Sequence, residues 1–207
     1  MGLWGRMFAA GYDRFMSGTE KAGLRERRQK LLAQARGRVL ELGGGTGANL
    51  AFYGPDVEEL VVTEPEEPMA RRLEKKLPGV TRPVQVVRVP AEQLPFEDGS
   101  FDYVVATLVL CTVDDPDRAL QEAHRVLKPG GRLLFLEHVR SEDAKLARWQ
   151  DRLNGFQKRF ACGCNCNRAT LETIKQHGFS VDEVEQGRLP KAPPFVRPMI
   201  VGAAVRA

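Results

Sequence analysis

The sequence predicts an α/β fold built on a mostly parallel seven-stranded sheet with a reversed last strand. Three observations predict it. Seven short apolar runs alternate with amphipathic stretches along the 207 residues, which is the pattern of strand–helix–strand units. The first four runs are nearly continuous in β-branched and apolar residues, as strands covered on both faces should be. The last two runs are joined by "GRLPKAPPFVRP" (187–198). That linker is too rich in proline for a crossover helix, so the two strands should pair antiparallel at the sheet end.

The runs are "RVLEL" (38–42), "ELVVT" (59–63), "VQVVRV" (84–89), "FDYVVATLVL" (101–110), "GRLLFLEHV" (131–139), "FSVDEVEQ" (179–186) and "MIVGAAVRA" (199–207). Helical patterns lie between them at about 66–77, 116–127, 142–159 and 168–177. Before the first strand, Leu3, Trp4, Met7, Phe8, Tyr12, Phe15 and Met16 recur at helical spacing on one face. That face can be a lid over a ligand, a docking face for a membrane surface, or core. "KAGLRERRQKLLAQA" (21–35) reads as a second helix that Gly37 ends. The basic clusters Arg25, Arg27, Arg28, Lys30 and Arg71, Arg72, Lys75, Lys76 read as solvated helix faces. The expected organisation is a single domain. Residues 1–35 form a helical cap, and 36–207 form the ligand-binding part, with a helical insertion at about 141–167.

Composition narrows the function classes. Hydrophobic residues make up 43% and charged residues 28%, ordinary for a globular protein, and the net charge of +4 is scattered. No apolar run reaches the ~18 residues of a membrane span. The start lacks the features of a signal peptide, and four cysteines, three of them crowded together, do not resemble a secreted disulfide framework. A cytoplasmic location is therefore expected. Without a long basic stripe, or an N-P-P-Y type motif after the fourth strand, nucleic acid is not an expected partner.

"VLELGGGTGANL" (39–50) follows the first strand and is expected to open a helix. Glycines there let the backbone turn sharply and approach a ligand, and the free N–H groups of a helix start would face it. Gly43, Gly45 and Ala48 give the G-x-G-x-x-A dinucleotide fingerprint. Glu41, Gly43, Gly45 and Gly47 give E-x-G-x-G-x-G instead. Glu64, 23 residues after Glu41, stands where a carboxylate accepts ribose hydroxyls from either nucleotide. Glu41 has a use only with a cationic ligand, because the pyrophosphate of a dinucleotide would be repelled. An aminoacyl sulfonium suits it.

"VLELGGGTG", "LPFEDGSFD" (94–102) and "HRVLKPGGRLLFLEH" (124–138) together resemble class I S-adenosylmethionine-dependent methyltransferases, in the branch of the ubiquinone/menaquinone C-methyltransferases. The resemblance implies a Rossmann-like sheet of order 3-2-1-4-5-7-6, with strand seven antiparallel and N-terminal helices as a lid. In the second half, "TLVLCTV" (107–113), "EHV" (137–139), "GCNCNRATLETIKQHGF" (163–179) and "FVRPMIVGAAV" (195–205) are similar to the alkyl-thiol S-methyltransferases and their bacterial relatives. Those lie near bacterial phosphatidylethanolamine N-methyltransferases.

The resemblance implies S-adenosylmethionine as cofactor and S-adenosylhomocysteine as product; no metal is expected. It assigns Glu41, Gly43, Gly45 and Gly47 to the methionine end and Glu64 to the ribose. Many relatives have an Asp beside the adenine where this chain has Pro90. That departure leaves Ala91 and Glu92 as adenine candidates. Thr107 and Leu108 should line the pocket near the sulfonium, and Tyr12 can reach it from the lid.

Methyl transfer is an in-line displacement in which the protein mainly orients the reactants and excludes water. A thiol acceptor reacts as its thiolate, with a free pKa of about 8.5, whereas an amine or phenol must also bind deprotonated. His138, at the end of the fifth strand, is the general-base candidate, and equally a wall histidine. His124 fits a packing role and His177 a helix C-cap. Asp114 and Asp115 should start a helix with Pro116 at its first position. Cys111 reads as a pocket-wall residue. Trp149 and Phe156 belong to the cap or core, and an apolar acceptor pocket is expected between the insertion and the N-terminal helices.

In "ACGCNCNRAT" (161–170), Gly163, Asn165 and Asn167 are turn formers. Cys162, Cys164 and Cys166 therefore do not share the face of a strand, and their spacing is shorter than that of a structural zinc site. Asn167 is expected to cap a helix beginning at Arg168. In the thiol-methylating relatives this loop faces the acceptor, which makes Cys164, Asn165 and Arg168 acceptor-side candidates.

The partner is then a small-molecule or lipid-like acceptor, and the N-terminal helix offers a peripheral membrane contact. A phospholipid or quinone methyltransferase and a non-catalytic S-adenosylmethionine-binding protein stay open as alternatives.

Overall fold

The computed structural model describes residues 3–161 and 163–207. The side chains of Leu3 and Trp4, and all of Cys162, lie outside the described residues, as do the expectations placed on them.

Helix α1 (Leu3–Thr19) runs through a π-helical turn (Glu20–Leu24) into α2 (Arg25–Leu32), and the chain kinks at Gly23, whose φ is 125°. The sheet follows, with β1 (Gly37–Leu42), β2 (Val57–Thr63), β3 (Val84–Val87), β4 (Phe101–Thr107), β5 (Leu127–His138), β6 (Phe179–Arg188) and β7 (Pro198–Arg206). Helices α3 (Glu67–Glu74), α4 (Pro116–Val126), α5 (Ala144–Phe160) and α6 (Thr170–Gln176) complete it. The strand order is β3-β2-β1-β4-β5-β7-β6, as the resemblance implied. The β1, β2, β3, β4 and β5 pairings are parallel, and β7 is antiparallel to both neighbours.

The period-two alternation of the strands decides which residues meet which helices. On one face Leu40, Leu42, Val104, Ala106, Leu133 and Phe135 pack with Leu120 and Ala123 of α4 and Ile174 of α6. On the other, Val39, Leu60, Val62, Val105, Leu134 and Leu136 pack with Leu31 and Leu32 of α2 and Leu73 of α3. Both sets are buried, so the core is double-sided. Asp115 caps α4 as expected, accepting a hydrogen bond from the Arg118 amide at 3.0 Å, with Pro116 at the first position. Asp143 caps α5 in the same way. Gln150 of α5 is fully buried and ties the insertion down. Its amide donates to the carbonyls of Val139, Cys166 and Phe195, and its oxygen accepts from the Ser141 amide.

Several local expectations are corrected. No helix follows the glycine loop, and residues 45–52 are successive turns. Gly43, Gly45 and Gly47 all hold positive φ, and Asn49 and Tyr53 fold back onto Glu41, so a helix has no run in which to propagate. The fourth strand ends at Thr107 rather than at 110, because Leu108 turns into the left-handed region with φ 56°. Helix α6 starts at Thr170 with no side-chain cap, and the Asn167 amide instead donates to Asp151 at 3.0 Å. Helix α2 ends at Leu32, and Gly37, at φ 63°, opens β1. Arg28, expected on a solvated face, is only 3% exposed, whereas Arg25 and Lys30 beside it are exposed. Trp149 and Phe156 are also exposed, as are Met7 and Phe15 of α1, the last at 75%. Helix α5 buries only Ala147 and Gln150, so its aromatic face looks outward.

Candidate functional site

The carboxyl ends of β1, β2, β4 and β5 deliver Leu42, Thr63, Thr107 and His138 to one edge of the sheet. Ligands of open α/β sheets bind at this edge. The loop after β1 is anchored by hydrogen bonds from the Gly44 amide to the Thr63 carbonyl at 2.9 Å and from the Gly47 amide to the Gly44 carbonyl at 2.8 Å. A side chain at Gly43 would place its Cβ 2.4 Å from Val109, so the loop packs directly on the segment after β4. Gly45, at φ 56°, has open space on its Cβ side, where a ligand can approach the backbone. Its amide donates to Glu64 at 2.7 Å, and the other Glu64 oxygen accepts from the Glu66 amide at 2.9 Å. Burial, opposed by these two bonds, pushes the Glu64 carboxyl above its usual range.

Glu41 is buried one layer deeper. Its carboxylate accepts from Asn49 at 2.9 Å and from the Tyr53 hydroxyl at 2.7 Å. Burial pushes its pKa up to about 7, against the pull of those bonds and of Arg28. The Asn49 amide also donates to Thr107 at 2.8 Å. Arg28 reaches in from α2 and donates to Asn49 at 2.9 Å, to Thr107 at 3.0 Å and to Glu20 at 3.1 Å. Glu20, Arg28, Asn49, Thr107, Glu41 and Tyr53 thus form one polar chain from the N-terminal helices to the sheet. Asp13 of α1 adds a second clasp, accepting from Thr46 of the glycine loop and from Lys76.

The first half of the sequence-derived site is therefore gathered in one place: Glu41, Gly43, Gly45, Gly47, Glu64 and Thr107 line this edge. Leu108 follows, its amide donating to the Leu136 carbonyl at 2.7 Å. Its left-handed backbone is strain of the kind kept at ligand sites. Ala91 is buried. The Glu92 carboxylate accepts from the Asp114 and Asp115 amides at 2.8 and 3.2 Å, so it holds the β4–α4 connection.

Glu137 of β5 lies in the "EHV" motif but was assigned no site role from the sequence. Its buried carboxylate accepts from the amides of Val109, Leu110 and Cys111 at 2.8, 2.9 and 3.2 Å, and burial raises its pKa against those bonds. It fixes the loop that presents Cys111. On that loop Cys111 Sγ lies 3.7 Å from Cys164 Sγ, which lies 3.3 Å from His138 Nδ1. All three residues are buried, and His138 Nε2 has no hydrogen-bond partner among the described residues. The contact with Cys164, then burial, holds the Cys111 thiol well above its usual range.

The residues after Cys164 dock the insertion onto the same loop. The Asn165 amide nitrogen and side chain both donate to the Cys111 carbonyl, at 2.7 and 3.2 Å. Arg168 donates to the carbonyls of Leu110 and Val113. Tyr12 of α1 lies within electrostatic reach of Arg28, Cys111, Glu20 and Cys164, and burial pushes its hydroxyl up to about 12, so it stays a neutral phenol. His124 packs edge-on against Phe179, and His177 caps α6 and pairs with Asp117 at 2.8 Å, as expected of structural histidines. Two open surface grooves lie elsewhere, one between α2 and β6–β7 and one at the opposite edge of the sheet, and neither is lined by any of these residues.

Arg28, Asn49, Tyr53, Glu137 and Asp13 were missed by sequence reasoning. A buried arginine on a helix that looks solvated leaves no local signal. Asn49 and Tyr53 carried one, because they fall in the segment that the glycine loop was expected to turn into helix.

Comparison with known proteins agrees with this geometry. Residues 40–135 match the methyltransferase domain family. The chain is 39% identical to the human thiol S-methyltransferase TMT1B over 188 residues, covering 86% of this chain and 75% of that protein. It is 43% identical over 106 residues to the ubiquinone/menaquinone biosynthesis C-methyltransferase UbiE of Pasteurella multocida, covering 48% of this chain and 39% of that one. Among solved structures, a SAM-dependent methyltransferase from Thermotoga maritima superposes with a TM-score of 0.70 at 25% identity, over 98% of this chain and 97% of the other. With the sheet order, the glycine loop and its acidic partners already in place, these similarities show that the chain belongs to the class I S-adenosylmethionine-dependent methyltransferases, beside the thiol S-methyltransferases.

Proposed function

We propose that this methyltransferase acts on the sulfur of a small apolar or amphiphilic thiol. The observation that carries the reading is 39% identity to a thiol S-methyltransferase over 86% of the chain, well beyond the shared cofactor domain. The acceptor end supports it. Cys111, Cys164 and His138 make a soft, buried cluster, and both cysteines lie within electrostatic reach of Tyr12.

In this reading the turns after β1 receive the methionine end, and Glu41 favours its ammonium directly or through water. Glu64 receives the ribose, and Ala91 with Glu92 borders the adenine. Thr107 and Leu108 flank the sulfonium, and residues 1–35 close over it. Cys164, Asn165 and Arg168 bound the acceptor. The acceptor sulfur attacks the sulfonium methyl in line, and the carbon–sulfur bond of the cofactor breaks to leave S-adenosylhomocysteine. Methyl transfer from a sulfonium needs no metal in itself. His138 takes the acceptor proton where the acceptor does not arrive as an anion. The reaction is placed in the cytoplasm, with a peripheral contact at a membrane surface through α1. No helix among the described residues is long and apolar enough to cross a membrane.

The test is S-adenosylhomocysteine formation with an alkyl thiol, an ethanolamine phospholipid and a quinone-precursor phenol supplied in parallel. Turnover of the thiol alone is expected. Turnover of the lipid or phenol alone would move the assignment to those classes. Cofactor binding with no turnover of any acceptor would make the chain a binding protein.

A further inference from the structure

The cluster Cys111, His138 and Cys164 comes from three separate elements: the loop after β4, the end of β5 and the loop between α5 and α6. Each residue offers one metal-ligand atom, and these atoms lie within 4.8 Å of one another in the protein interior. With Zn–S near 2.3 Å and Zn–N near 2.0–2.1 Å, tetrahedral angles put two sulfurs about 3.8 Å apart, and a sulfur and a nitrogen about 3.6 Å apart. The observed separations are 3.7 Å for Cys111 Sγ to Cys164 Sγ and 3.3 Å for Cys164 Sγ to His138 Nδ1. Two of the three separations are thus close to those a zinc ion sets, and the third lies within 4.8 Å.

The cluster is also preorganised by contacts that do not involve the ligand atoms. Glu137 holds the Cys111 amide, Asn165 holds the Cys111 carbonyl, and β7 pairs with β5 beside His138. The expectation of no metal was argued from the spacing of Cys162, Cys164 and Cys166, whereas the cluster joins Cys164 to Cys111 and His138 from other parts of the chain. Cys166 instead lies near Asn154.

We propose that Cys111, His138 and Cys164 bind a zinc ion, and that its open fourth position takes the thiol acceptor as a thiolate. The role of the metal rests on the thiol reading above; the binding site does not. Three protein ligands and one exchangeable position are the pattern of catalytic rather than structural zinc. Binding the ion displaces the thiol protons of Cys111 and Cys164 to solvent. A thiol that coordinates it loses its own proton outright. The sulfur electron pair then forms the new bond to the methyl carbon, and the bond from that carbon to the cofactor sulfur breaks with its pair left on S-adenosylhomocysteine. The neutral thioether product is a weaker ligand than a thiolate and leaves.

The test uses the untagged full chain. Zinc is measured by mass spectrometry after gel filtration, and cobalt(II) is titrated into the metal-free protein. About one zinc per chain is expected, with thiolate-to-cobalt charge-transfer absorption and the visible bands of a tetrahedral ion. Cys111→Ser with Cys164→Ser should abolish both signals, while Cys166→Ser keeps them. His138→Ala should keep the charge-transfer band but change the visible bands. If the double variant does not fold, the cobalt spectrum of the unaltered chain still decides. A folded chain that binds S-adenosylmethionine yet takes up no zinc, and gives no charge-transfer band, overturns the site and leaves thiol methylation standing. Isolation as a Cys111–Cys164 disulfide that binds no metal after reduction overturns it as well. A zinc-loaded chain that methylates no thiol overturns the acceptor reading and its metal role while the metal site stands.

Discussion

At the scale of single residues, Glu41 shows how a motif position acquires a second job. The sequence marks it as a carboxylate wanted by a cationic ligand, and the structure encloses it with Tyr53 and Asn49. Burial raises its pKa from 4.5 to about 7. A carboxyl that holds its proton more tightly in the folded chain adds stability below its unfolded value, and that stability is lost as pH rises through about 7. The expected outcome is that Glu41→Gln flattens the fall in urea-unfolding free energy between about pH 4.5 and 7. The difference from the unaltered chain should be about 3 kcal/mol across that window. Identical pH profiles for the two proteins would show that the carboxyl is not protonated in the fold. Glu41 and Glu64 were legible because glycine spacing and strand ends fix their places. Glu137 was not, since its three amide partners lie 26–28 residues away and nothing local announces them.

At the scale of elements, the seven strands and the six α-helices were legible from periodicity, and the polar contacts between elements were not. Helix α2 carries four basic residues in six positions, a pattern that reads as a wet face. The π-turn and the kink at Gly23 set α2 so that Arg28 points inward, joining Glu20 to Asn49 and Thr107. Removing it leaves those partners unsatisfied in a buried setting. Arg28→Ala is expected to cost about 2–4 kcal/mol. Lys30→Ala, which loses only the exposed pair with Glu26, should cost less than about 0.5 kcal/mol. Urea denaturation of the two variants checks this, and equal small losses would mean that α1 and α2 are not coupled to the sheet through Arg28. The helix expected after β1 failed for a reason visible only in three dimensions. The side chains at 49 and 53 are recruited to Glu41, and the segment bends to deliver them.

At the scale of the whole molecule, the fold class and reversed β7 followed from the alternation of runs and the proline-rich linker, and the strand order from the family resemblance. The outward aromatic faces did not follow, because an amphipathic pattern does not say which of its faces is covered. Met7 and Phe15 on α1, and Trp149, Phe156 and Phe160 on α5, remain exposed, and basic residues flank them on α5. Aromatic and basic side chains together suit a lipid interface. The protein is expected to co-sediment with vesicles containing phosphatidylserine, and to lose most of that binding in Met7→Ser with Phe15→Ser. If that pair of changes leaves vesicle binding intact, the contact does not run through α1.

The grip of Glu137 on residues 109–111 has one further consequence. It makes the wall carrying Cys111 and His138 a single rigid casting, set by β5 and β7. If that wall bounds the acceptor as proposed, acceptors of different size cannot be accommodated by moving it. The adjoining segment 163–169 is held to the casting at Asn165 and Arg168 by bonds to backbone carbonyls, which are indifferent to the side chains they cross. Substrate range in this scaffold can therefore diverge through substitutions in α5 and its exit loop while the reacting geometry stays unchanged.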